Sequence, residues 1–222
     1  MKKSLVLPII LLPFVVTTPV IGATEVQANR RVDPRQNVSV AEINISDLPN
    51  GFIEIPERSL APLRRVLTQQ GMNVESLFLF VHPGNFEFVM GATMTLSETL
   101  QQKGWDLNQL DFRQVIAMLL QSTMQLPAVR IPLASLGINQ VAEIKVLQQR
   151  ELSGVNNIGE SSGGATTLME GMGVTVRSDM TMFRRNRVFA IALVTYPNGD
   201  DPVVRVGDVA RKLDRRIVQS SR

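Results

Sequence analysis

The sequence predicts an α+β fold, an antiparallel sheet flanked by helices. Three observations predict it. Two stretches rich in β-branched and aromatic residues, 77–94 and 174–196, each fold about a turn signal and read as hairpins, which pair strands antiparallel. Two others, 57–70 and 206–219, carry apolar residues at three-to-four spacing, as helices that cover a sheet do. No repeat or domain linker divides residues 38–222, so they read as one domain.

The elements follow in order. Val38, Val40, Ile43 and Ile45 suggest a first strand. Leu48-Pro49-Asn50-Gly51 is a turn signal, and Phe52, Ile53 and Ile55 make a short strand stopped by Pro56. Glu57 to Gln70 reads as a helix with Leu60, Leu63, Val66 and Leu67 as its apolar stripe, closed by Gly71. Leu77 to Val81 and Phe86 to Met94 form the first hairpin, about His82-Pro83-Gly84-Asn85. Helices are expected across 97–126, then apolar connectors at 131–133 and 136–138, then a strand from Val141 to Leu152. Residues 153–173, dominated by Ser, Gly and Asn, read as a loose loop. Gly173 to Arg184 alternates apolar and polar residues, Arg185-Asn186 turns, and Val188 to Tyr196 returns as a strand. A turn at 197–202 leads to a last helix buried through Val206, Val209, Leu213 and Ile217.

The chain has 222 residues, of which 44% are apolar and 19% charged, enough to bury a core. It has no cysteine, which excludes disulfides, zinc–thiolate sites and thiol nucleophiles. Its net charge is only +3, unevenly spread. Residues 29–173 carry 11 basic and 14 acidic side chains, and residues 174–222 carry 10 and 5. One Trp and one Tyr offer little for base stacking, so nucleic acid is not expected as a partner.

Lys2 and Lys3 precede an apolar stretch, Leu5 to Val16, broken by Pro8 and Pro13 and followed by Pro19. This pattern reads as an export signal over residues 1–28, with Val26-Gln27-Ala28 as the cleavage site, Ile21-Gly22-Ala23 as an alternative and an uncleaved anchor as the rival reading, and 29–37 as a flexible lead-in. The expectation is a protein of the periplasm, a thylakoid lumen or the extracellular space, with no membrane span after cleavage.

Gly159-Glu160-Ser161-Ser162-Gly163 matches G-x-S-x-G, but a nucleophile elbow needs a strand before it and a helix after it. The single histidine, His82, lies earlier in the chain and in an expected turn. One His without Cys makes no usual zinc site, and Asn198, Asp200 and Asp201 lack the spacing of a calcium loop. No cofactor and no catalytic set is expected. The basic residues Arg184, Arg185 and Arg187 at the second hairpin's tip, with Arg211, Lys212, Arg215 and Arg216 on the last helix, are the candidate binding face. They would meet a protein or membrane complex with an acidic surface.

The stretch from Val176 to Val188, with Arg184-Arg185-Asn186-Arg187 at its turn, resembles the paired strands of PsbP-like proteins. Val209 to Ile217 is similar to that family's C-terminal helix, and Leu48-Pro49-Asn50-Gly51-Phe52 to its opening strand. Ile158-Gly159-Glu160 sits where the family has an Ile/Val-Gly turn. The resemblance implies an α/β/α sandwich and a non-enzymatic role in binding or assembly through protein–protein contacts. Two alternatives remain at this point, an extracytoplasmic hydrolase using serine or carboxylates and a carrier of a small apolar ligand.

Overall fold

A computed structural model describes residues 41–69, 72–96, 112, 129–132, 141–171 and 173–220. The signal and lead-in expected over 1–37, and the helices expected over 97–126 apart from Phe112, lie outside the described residues. Eight strands form one sheet: β1 (Ile53–Glu54), β2 (Met72–His82), β3 (Glu87–Leu96), β4 (Val129–Pro132), β5 (Val141–Glu151), β6 (Ser161–Gly171), β7 (Val174–Arg185) and β8 (Val188–Pro197). Two helices accompany them, α1 (Glu57–Gln69) and α2 (Val206–Ser220), with a 3₁₀ turn at Ile45–Asp47.

The strand order is β1-β2-β3-β8-β7-β6-β5-β4, and every pairing is antiparallel. The chain thus builds β1 to β3, crosses to the far edge at β4, and meanders back until β8 zips onto β3. Phe88 pairs with Thr195 and Met94 with Phe189, so β8 joins the two halves of the sheet.

This architecture corrects the expected α+β sandwich. An open, eight-stranded antiparallel sheet dominates, and the described residues include only two α-helices longer than a turn. The main error lies at 161–171, read as a loose loop but folded as β6, paired on both sides. Its composition is small and polar because its neighbours stand close. A Cβ at Gly164 would lie 2.5 Å from Val155 Cγ2 and 2.9 Å from the Met180 carbonyl oxygen. The expected connector at 131–133 overlaps β4, an edge strand that can carry Pro132 at its end. Of the first expected strand, Val38 and Val40 lie outside the described residues, and the described part is not a strand: residues 41–44 have no regular structure, and 45–47 form the 3₁₀ turn.

The 174–196 hairpin forms as its alternation predicts, with the turn one residue later, at Asn186-Arg187. Asn186 takes φ 54°, a left-handed conformation that Asn tolerates better than most residues. The 77–94 hairpin also forms, extended to 72–96.

Alternation along the strands divides the core by face. One face holds Phe78, Phe80, Val89, Phe183, Ala192 and Val194 under α2, which contributes Val206, Val209, Ala210, Leu213 and Ile217. The other holds Leu77, Leu79, Phe88, Met180, Met182 and Leu193, with Leu60 from α1 and Phe112. Phe112 stacks on Phe189 with ring centroids 5.3 Å apart. Each fully buried side chain of this size contributes about 1.5–3 kcal/mol. Among the described residues no helix is long and apolar enough to cross a membrane.

Candidate functional site: a basic groove beside the last helix

α2 is held onto the sheet by apolar contacts beneath and ion pairs around it. Arg185, at the end of β7, donates two hydrogen bonds to Asp214, 2.7 Å from Nε and 2.6 Å from Nη2. This fork-to-fork pair is half-buried and joins the hairpin tip to the helix. Asp214 holds the Arg185 guanidinium firmly in its charged form. Arg216 donates to both carboxylate oxygens of Asp47, at 3.2 and 3.1 Å, and Lys212 Nζ donates to the Asp47 carbonyl. The 3₁₀ turn is thereby latched to the outer side of α2. Burial works to raise the Asp47 pKa, but the Asn44 N–H and the Arg216 and Lys212 charges together hold it below the ordinary carboxylate value.

The seven predicted basic residues therefore divide. Arg184 lies 3.4 Å from Glu160 and its side chain is 12% exposed, so little of it can meet a partner. Arg185 and Arg216 are engaged as described. Arg187 is exposed in the hairpin turn. Arg211, Lys212 and Arg215 line an open groove of about 480 Å³ that the hairpin arginines do not reach. Its other walls are Pro49 and the loop from Pro202 to Arg205.

Arg205 is the residue that sequence reasoning missed. It precedes α2 by one position, and its place in the groove depends on how the 202–205 loop folds back over α2's first turn. Four cations and one carboxylate, Asp208, line the groove. Asp208 pairs with Arg211 at 2.9 Å, but both side chains are about half exposed, at 53% and 48%. An exposed pair of this kind is worth about 0–1 kcal/mol, so Arg211 exchanges partners readily.

The groove's far wall is fixed from beneath. Glu87, at the start of β3, is fully buried and accepts the backbone N–H groups of Val203 at 2.5 Å and Val204 at 3.1 Å. Burial outweighs these two donors and the nearby His82, and pushes the Glu87 carboxyl above its ordinary pKa. His82 sits under the same corner, edge-on to Phe52 at 5.1 Å and pressed against Gly51. Gly51 takes φ 103°, and a Cβ there would lie 2.3 Å from His82 Nε2.

The serine motif is part of the scaffold. Ser162 is buried, and its Oγ accepts the Ile158 N–H at 3.0 Å, closing the turn before β6. Ser161 Oγ accepts the Phe112 N–H at 3.4 Å. Gly159 has φ 65° and packs so closely on β7 that a Cβ would lie 2.3 Å from the Arg184 carbonyl oxygen. Among the described residues no cluster of His, Cys, Asp and Glu is arranged to hold a metal ion.

No protein-family model matches the chain, and no curated protein matches it either.

Proposed function

We propose that this chain is an exported, non-catalytic binding or assembly module that meets an acidic protein surface through the groove beside α2. The observation that carries the reading is the groove's lining: Arg205, Arg211, Lys212 and Arg215 against the single carboxylate of Asp208. Such a concave surface with one dominant sign of charge attracts and orients an acidic partner. The resemblance of 176–188 and 209–217 to PsbP-like proteins, whose members are mostly binding and assembly factors, points the same way.

The two alternatives have less support. The Ser162 hydroxyl is buried and engaged with the Ile158 N–H, where a nucleophile would need access. The Phe, Leu and Met residues that could line an apolar cavity are packed into the two core clusters.

The test is binding of a fluorescent oligo-glutamate peptide to the full chain, followed by anisotropy across a salt series. We expect affinity to fall steeply with salt, and at least tenfold in Arg205→Ala/Arg211→Ala/Arg215→Ala. Arg187→Ala, outside the groove, should leave it nearly unchanged. Equal losses in both variants would refute the groove as the contact surface.

A further inference from the structure

A second polar feature lies on the same sheet face as α2, over β5, β6 and the first residues of β7. α2 packs on β7 and β8. Beyond it the registers of β5, β6 and β7 set two parallel rows. In one row Gln148 pairs with Leu168 and Leu168 with Arg177. In the next, Arg150 pairs with Thr166 and Thr166 with Asp179. Phe183 lies under α2, and the period of two puts Arg177 and Asp179 on that face as well.

These side chains surround a depression of about 40 Å³, lined by Gln148, Arg150, Thr166, Leu168 and Arg177. That is room for one small polar group rather than a whole ligand. Leu168 and Thr166 form its floor. Arg150 and Arg177 rise from strands about 10 Å apart across β6, within reach of each other's side chains.

Both oxygens of the neighbouring carboxylate are taken by hydroxyl donors. Asp179 Oδ1 accepts the Thr166 hydroxyl at 2.7 Å, and Oδ2 accepts the Tyr196 hydroxyl at 2.9 Å. Burial, followed by the charge of Asp179, pushes the Tyr196 pKa up to about 12, so this hydroxyl remains a donor. The Arg177 guanidinium lies against that hydroxyl, yet its Nε is buried and has no acceptor among the described residues. A buried donor without an acceptor is uncommon in folded proteins, so this guanidinium keeps donor capacity that the fold does not use.

We propose that Arg150 and Arg177 form a subsite for a single oxyanion group, a carboxylate or a phosphoryl group, on the α2 side of β5–β7. Guanidinium pairs recognise such groups by bidentate donation, and Gln148 adds a neutral donor at the rim. This subsite is independent of the α2 groove and shares none of its residues.

The test is a titration of the isotope-labelled full chain with sodium acetate and, separately, sodium phosphate, at constant ionic strength, followed by amide chemical shifts. Saturable shifts centred on Arg150, Thr166, Leu168 and Arg177 are expected. They should weaken at least tenfold in Arg150→Ala and in Arg177→Lys, which keeps the charge but loses Nε. Arg150 is exposed, so its variant carries the test even if changes at Arg177 disturb folding. Shifts should persist in Arg205→Ala/Arg211→Ala/Arg215→Ala, which separates this site from the groove. The anion that saturates at the lower concentration names the favoured source. Shifts that do not saturate, or that survive both changes, overturn the proposal.

Discussion

Replacing Glu87 tests how the wall of the groove is built. Its carboxylate accepts two backbone N–H groups, those of Val203 and Val204, with no exposure to solvent. Gln is nearly the same shape but offers one acceptor oxygen, and its amide group turns a donor toward the second N–H. One backbone donor is then left buried without a partner, which costs about 1–3 kcal/mol. Ala removes both acceptors and leaves a small void, and should cost about 2–4 kcal/mol. The pH dependence has a definite sign. Burial raises the folded-state pKa of Glu87 above its unfolded value. Its contribution is therefore complete below the ordinary carboxylate pKa and declines as pH rises through the folded value. Urea unfolding of the wild type and Glu87→Gln, at several pH values from acid to neutral, measures the gap. We expect the gap to be largest in acid and to narrow as pH rises through the folded-state pKa. A gap that widens with pH would mean that the two N–H donors and His82 outweigh burial, and would refute the reasoning. Equal stability of the two proteins would remove Glu87 as the support of the 202–205 loop.

Other outcomes follow from the same contacts. Arg185→Ala should lower stability by about 1–3 kcal/mol by stranding the half-buried Asp214, and Arg185→Lys should restore only part because it cannot form the bidentate pair; thermal unfolding measures both. Gly91→Ala should destabilise by about 1–3 kcal/mol, since its Cβ would lie 2.3 Å from Phe78 Cζ and 2.8 Å from the Ile191 carbonyl oxygen; chemical denaturation reads it. Ser162→Ala should lower the melting temperature through the lost Ile158 hydrogen bond and leave any ester-hydrolysis background unchanged. Asp47, whose pKa is held low, contributes stability that is present above its unfolded pKa and lost as pH falls through the folded value. Asp47→Asn should flatten that acid limb, as denaturation across the acid range will show.

The parts of the fold legible in the sequence are those whose signal is local. The 174–196 hairpin was readable because apolar and polar residues alternate up to Asn186, whose side chain suits a left-handed turn. The burial of α2 through Val206, Val209, Leu213 and Ile217 follows from spacing alone. β6 was illegible because propensity did not select its residues. Ser162 closes a turn, Gly164 lets Val155 and Met180 approach, and Thr166 serves Asp179. Each of these reasons lies on another segment, so a Gly- and Ser-rich strand looked like a loop. Missing β6 hid the lateral order of β5, β6 and β7, and with it the meeting of Arg150 and Arg177. The joining of β8 to β3 depends on residues about a hundred positions apart, for which no local pattern exists.

Charge shows the same limit from the other side. Counted along the chain, the last 49 residues hold 10 basic and 5 acidic side chains, which suggests one continuous positive face. Folding draws acids from elsewhere into that region, Asp47 onto Arg216 and Glu160 onto Arg184, while Asp214 takes Arg185. These three arginines hold the edges of α2 and the hairpin tip in place. The field left over is set by cations that folding does not engage so firmly. These are Arg205, Arg211 and Arg215 around the groove, with Arg187 apart from them in the hairpin turn. Neutralising Arg216 should therefore weaken the latch to Asp47 more than it weakens attraction for an acidic peptide, and neutralising Arg215 should do the reverse. Measuring stability and oligo-glutamate affinity on both single Ala variants separates the two roles. Parallel losses in both measurements would show that scaffold and contact surface are the same charges, and the division drawn from the ion pairs would fail.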